Sequence, residues 1–400
     1  MRMGGAQMPI TSLKVALIDG PMYGPLYRSL EVFEQSTGIT VNVAFKGTHP
    51  ELNALLKGAF EAKECPFDLV STHSKYAPSQ AENLLSLDPY FDESALADFA
   101  PSIVELCRVG SELKSIPRNF DARLMVYRTD RLAELGIGVP ETWEQLGEAS
   151  RRAKAAGYTG LVYPGKGSGL FGTFFELLSS EDGKLFDERL QPAFNSAAGL
   201  AAVQRLRDWY KEGLTPEGLP EMEYDEVSTN FREGDSTFVT DWPGYFSLYT
   251  DPAFPLAGRF DLALTPAGSQ GRRAVYCGSH SFAVLAGTQH PEQAVQLLHH
   301  LTSHESQLID ANHGHVPVRT SVMDKLKIAA AEDSLEARRL SLLEETIRTS
   351  VVIPPKFPEY PLTEDIIWQT FQSAIVGRLE PQEALDKAAF EIGKVVEAYR

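Results

Sequence analysis

Cysteine is scarce in this chain. Cys65, Cys107 and Cys277 are the only three in 400 residues, none lies in a CxxC pair, and the count is odd, so a disulfide framework is not expected. Long apolar runs are missing too. No stretch approaches the roughly 18 apolar residues a membrane-spanning helix needs. The first fifteen residues, MRMGGAQMPITSLKV, contain an arginine but no apolar h-region, so they do not read as a signal peptide. Positive charge is the minority sign: 37 Lys and Arg stand against 54 Asp and Glu, a net charge of −17. Nucleic-acid affinity comes largely from cations that neutralise phosphates, so this balance argues against a polyanionic partner. The HExxH and GxSxG patterns are absent, and with them two familiar routes to hydrolysis.

One motif invites a nucleotide reading and then fails it. GLVYPGKGS (160–168) has the glycine spacing and the lysine of a phosphate-binding loop. Position 167 is glycine, however, where the motif needs a Ser or Thr hydroxyl for Mg²⁺. The expected strand, Leu161 to Tyr163, also lies inside the loop, so its amides are committed to a sheet. The histidines His299, His300 and His304 look metal-like by spacing, but Ser303 is placed to cap a new helix, and a shared face is not required. No metal site and no cofactor are expected.

What is present is an α/β rhythm. LKVALID (13–19), ITVNVAF (39–45) and FDLVST (67–72) read as strands, with PLYRSLEVFEQSTG and ELNALLKGAFEA as helices between them. The same alternation resumes later. Thr142 and Gln145 suggest a capping box for WEQLGEASRRAKAAG. Residues 196–212 suggest an amphipathic helix with Leu200, Val203, Leu206 and Tyr210 inward and Gly213 at its end. STFVTDW (236–242) and HSFAVLAG (280–287) read as further strands, and Pro291 and Pro381 open helices. VVIPPKFPEYPLT (351–363) reads as an extended loop. The fold class expected is α/β, with mainly parallel sheets and helices on both faces. Such sheets place ligands beyond the carboxyl ends of their strands.

Several segments, in order, resemble the extracellular solute-binding proteins of family 1, the sugar-binding group that includes maltose-binding protein. They are LKVALIDG with LEVFEQSTGITVNV, FDLVSTHSKYAPSQAENLLSLDPYF, IPRNFDARLMVYRTDRLAELGIGVPETWEQL, FREGDSTFVTDWPGYF, HPEQAVQLLHHLTSHESQ with GHVPVRTSV, and AIVGRLEPQEALDKAAFEI. The likeness covers nearly the whole chain from residue 13. Arg128 stands where the family usually has Asn.

The resemblance implies a two-lobed periplasmic-binding-protein fold with a hinge between lobes that close on a sugar. Its chain crossings map near 117–120, 276–278 and 316–318. The lobes would then be 1–117 plus 279–316 and 120–277 plus 319–400. It further implies a non-enzymatic, solute-binding component of an ABC importer. Its partners would be a mono- or oligosaccharide or related polyol and the transmembrane permease subunits. The protein would be monomeric, in the periplasm or at the cell surface. A carbohydrate-active hydrolase and a receptor-docking ligand sensor are the alternatives.

Sugars need directed donors and acceptors for their hydroxyls and flat aromatics for their apolar faces. The expected strand ends, crossings and the stretches after them supply Asp19, Tyr23, His73, Asp121, Arg123, Lys166, Phe171, Asp241, Trp242, Tyr245, Gly278 and His280 as candidate ligand-binding residues, and the resemblance adds Tyr360, in the proline-rich loop where the family frequently has an aromatic. Each also has a structural reading, as a cap, an ion pair or a core aromatic. Asp121 and Asp241 could in principle form a glycosidase pair.

Overall fold

A computed structural model describes residues 12–234 and 236–399. Much of the N-terminal stretch considered for a signal sequence lies outside them. The described residues divide into two compact units, one built from residues up to 120 and 279–324, the other from 121–278 and 325 onward. The strands of their two main sheets are, in chain order, β1 (Ser12–Ile18), β2 (Thr40–Gly47), β3 (Leu69–His73), β4 (Ile116–Pro117), β5 (Leu124–Arg128), β6 (Thr159–Val162), β7 (Ser236–Asp241), β8 (Phe260–Ala263) and β9 (His280–Val284).

In the first unit the sheet order is β2-β1-β3-β9-β4. β1 is parallel to β2 and β3, because the helices Gly24–Thr37 and His49–Glu61 carry the chain back each time. β9 is antiparallel to β3 and β4, since it arrives from the second unit rather than through a crossover helix. Ala16, Leu52, Leu56, Phe67, Val70 and Ala283 form one buried cluster beneath this sheet. A capping box fixes the start of the second helix: the Thr48 side chain accepts from the Glu51 amide, and the Glu51 carboxylate accepts from the Thr48 amide.

The second sheet runs β8-β5-β7-β6, and only the β7–β6 pair is parallel. The sheets are therefore mixed, not mainly parallel as the sequence rhythm suggested. The alternation reports crossover helices, but not the strands that enter a sheet from the other unit.

Four local readings also change. The Thr142 side chain accepts from the Gln145 amide as expected, yet the Gln145 side chain accepts from the Glu141 amide, so half of the box forms. The helix Ala197–Lys211 buries Ala202, Val203, Leu206 and Trp209, while Leu200 and Tyr210 are half-buried; its inward stripe is rotated toward the larger indole. Tyr360 opens the helix Tyr360–Ile375 instead of lying in an extended loop. Residues 319–324 belong to the first unit, beyond the crossing placed at 316–318. Thr320 and Ser321 donate to the Asp98 carboxylate, and Arg319 Nε donates to the Thr302 carbonyl at 2.7 Å.

Candidate functional site

In the first unit the carboxyl ends of β1, β2 and β3 share one edge of the sheet with the start of β9. His73 is the last residue of β3 and pairs in register with His280, the first of β9. His49 begins the helix that follows β2. Its Nε2 lies 2.8 Å from His280 Nδ1, with the two rings within 18° of coplanar. The His73 ring stands nearly perpendicular to both, at 5.9 Å from His49 and 5.3 Å from His280. His73 Nδ1 accepts from the Lys75 amide at 3.2 Å, which puts the proton of the neutral ring on Nε2.

Tyr23, after β1, lies edge-on to His280 at 6.3 Å, with His315 on another side at 6.1 Å and the Arg118 guanidinium 4.8 Å from its ring. Arg118 is buried and bidentate on Asp310, at 2.9 and 3.2 Å. Burial opposes ionisation of Asp310, but Arg118 holds its carboxyl below the usual range. Burial drives the imidazoles the other way: His49 is pushed down to about 3 and His315 to about 4, and His73 and His280 fall well below the ordinary histidine value.

The second unit holds an aromatic group at the end of β7. Trp242 stays partly exposed. Tyr224 and Tyr276 meet it edge-on, at 6.0 and 6.1 Å. The Arg123 guanidinium lies 5.1 Å from the indole. Arg123 is fully buried, with Nε 3.0 Å from Glu176 Oε1 and Nη2 2.6 Å from Oε2. Burial pushes the Glu176 carboxyl up, against the pull of Arg123 and of the Tyr276 amide, which donates to it at 2.9 Å. Gly172 makes room for this packing, because a Cβ there would lie 2.7 Å from the Tyr276 ring.

The remaining candidates divide by burial. Asp241 is buried, with Oδ1 accepting from the Trp242 amide at 2.8 Å and Oδ2 from the Tyr249 hydroxyl. Its two oxygens hold the turn that presents Trp242. Burial raises its pKa to about 7. Phe171 and Tyr360 are core residues; Phe171 packs at 5.7 Å from Tyr276 and 6.2 Å from Tyr360 and so supports the aromatic group from below. Tyr245 is buried and donates to the Asp225 carboxylate. Asp121 is buried and its amide donates to the Gly278 carbonyl at 3.3 Å, so these two brace the chain where it passes between units. Asp19 is exposed and accepts from the Gly20 amide.

Lys166 is half-buried, 3.9 Å from Glu221, just before the helix Gly167–Ser180. The amides of Gly160 and Leu161 both donate to the Leu214 carbonyl, and that of Gly165 to Met222. Gly167 has a φ of +63°. Three of the amides of the glycine motif are thus spent within the unit.

The sequence candidates thus brought together are Tyr23, His73 and His280 in one unit and Arg123 and Trp242 in the other. His49, His315, Tyr224 and Tyr276 were missed. His49 lies two residues after a strand end, and Tyr276 is the first residue of the crossing mapped at 276–278, so position was the available signal for both. Among the described residues no cluster of His, Cys, Asp and Glu is arranged to hold a metal ion.

Residues 19–308 match the family described as bacterial extracellular solute-binding protein. The chain belongs to that family. A probable ABC transporter-binding protein of Deinococcus radiodurans is 25% identical over 290 residues, 70% of this chain and 69% of its own length. A mannitol-binding protein of Pseudomonas aeruginosa is 25% identical over 319 residues, 74% of this chain and 72% of its own. The solved structure of maltose-bound MalE3 from T. maritima superposes with a TM-score of 0.88 at 28% identity, covering 96% of this chain and all of that one (100%). The architecture is the two-lobed periplasmic-binding-protein fold, and the family is one of binding proteins, not enzymes.

Proposed function

We propose that this protein is the solute-binding component of an ABC importer, that its solute is a sugar or a related polyol, and that it hands the solute unchanged to transmembrane permease subunits. The observation that carries the reading is the partly exposed indole of Trp242, held by Tyr224, Tyr276 and Arg123 at a strand end. A rigid aromatic of this kind suits the apolar face of a pyranose or polyol chain at low entropic cost. Relatives described as binding mannitol and maltose support the same class. Tyr23, His49, His73 and His280 offer hydroxyl partners at the sheet edge of the first unit.

A hydrolase would need a free carboxyl pair. Asp241, one member of the pair the sequence offered, spends both oxygens inside its own unit, which favours binding without chemistry. The working form is a monomer in the periplasm or at the cell surface, with no nucleic-acid partner. Isothermal titration calorimetry with neutral sugars, polyols and sugar acids, followed by chromatography of the recovered ligand, tests this. One-to-one binding with ligand recovered intact is expected; turnover would replace the reading with a hydrolase, and no binding across the classes would end it.

A further inference from the structure

The histidine edge of the first unit is unusual in what faces it. His49, His73 and His280 are grouped within 4.9 to 5.9 Å of one another. Two standing cations act on them: Lys75 on His49 and His73, and Arg118 on His280. Lys75 itself sits over the Tyr76 ring at 5.0 Å, and Tyr76 packs against His49 at 5.9 Å. Asp310 is the buried acid of the neighbourhood, and it is committed to Arg118 through both oxygens. Asp19 is exposed on the β1 loop. Two ring nitrogens are also buried without a hydrogen-bond partner, His49 Nδ1 and His315 Nδ1. His315 Nε2 is 3.0 Å from the Met22 carbonyl, so its proton is on Nε2 and Nδ1 carries a lone pair.

Neutral imidazoles beside two cations, with the Nδ1 atoms of His49 and His315 buried and unpartnered, form a group that gains from an anion. A carboxylate brought to this edge would accept from the His73 Nε2–H and reverse the local field. The Lys75 ammonium, placed over the Tyr76 ring beside His49, would attract the same group. We propose that the histidine edge binds the carboxylate of an acidic sugar or polyol. This rests on the solute-binding reading above and narrows its ligand class from neutral polyols to sugar acids. No bond is made or broken.

The test compares ligands of matched chain length and differing charge. D-Gluconate, D-glucuronate and D-galacturonate are titrated into the purified protein alongside sorbitol, D-glucose and D-galactose, with mannitol and maltose as further neutral probes. Titrations run at pH 5.5, 7 and 8.5, each in two buffers of different ionisation enthalpy. At least one acid should bind tenfold or more tighter than its neutral partner. Its affinity should hold level between pH 7 and 8.5 with no dependence on buffer ionisation enthalpy, because the imidazoles stay neutral, and the preference should weaken as salt is raised. His280→Gln and, separately, His73→Gln should reduce the preference; the wild-type comparison of each acid with its neutral partner decides the matter even where a variant fails to fold. Neutral ligands binding as tightly as acids would overturn this proposal and leave the solute-binding reading standing. Failure of every ligand would overturn both.

Discussion

The guanidinium of Arg123 joins a buried carboxylate to an exposed ring: its Nη2 lies 2.6 Å from Glu176 Oε2, and its centre lies 5.1 Å from the Trp242 indole. Removing it would strand Glu176, which is fully buried and also accepts from the Tyr276 amide. Arg123→Ala should therefore cost about 3–5 kcal/mol of stability, the scale of a broken buried pair. Arg123→Ala combined with Glu176→Gln should recover part of that loss. Urea unfolding of both variants checks it. A single variant as stable as wild type would mean that the pair holds nothing together.

Trp242 separates binding from packing. Truncating it to alanine should weaken solute binding by roughly 2–4 kcal/mol, the range of an aromatic anchor in an interface. The unfolding free energy should change much less than the about 3–5 kcal/mol of a core tryptophan, because the ring is partly exposed. Calorimetry and denaturation on one preparation suffice. A large loss of stability with unaltered affinity would move Trp242 into the core.

Asp241 ties stability to pH. Its folded pKa is raised to about 7, above the ordinary aspartate value, with burial the first cause. A group raised in this way stabilises the fold fully below the unfolded pKa of about 4, and that contribution is lost as pH climbs through about 7. Wild type should thus lose stability between pH 4 and 7 relative to Asp241→Asn, by an amount on the order of a few kcal/mol. Unfolding curves at pH 4.5 and 7.5 for both proteins give the difference of differences. A slope of the opposite sign would show that the carboxyl is ionised throughout, held by the Tyr249 hydroxyl and the Trp242 amide.

Lys166 should prove dispensable. Its partner Glu221 is 3.9 Å away and largely exposed, so Lys166→Ala should alter stability by no more than about 0.5 kcal/mol. Mg²⁺-ATP should give no binding heat with either protein. A magnesium-dependent signal lost in the variant would restore the nucleotide reading of residues 160–168.

The strands and helices that repeat a period were legible, and so was the strand at 159–162 inside the glycine motif, because both are local facts. Sheet direction was not. β9 joins β3 antiparallel only because the chain returns from elsewhere, and nothing between residues 280 and 284 states its neighbour. At the site, single residues flanking strands were found and their company was not. His49 lies next to His280 through tertiary structure alone. Burial misled most: Phe171, Tyr245 and Tyr360 have the chemistry of sugar contacts and are packed in the core, and Asp241 has the chemistry of an acceptor and is already satisfied.

The pairing of β3 with β9 also sets an order of events in synthesis. His73 emerges early from the ribosome, and its partner His280 comes only after the second unit's long segment has been made. Until then β3 presents an open edge, and the histidine group has no third member. The nascent chain therefore carries an incomplete first unit through most of its translation. The first sheet is finished late, when a strand from far down the message joins it.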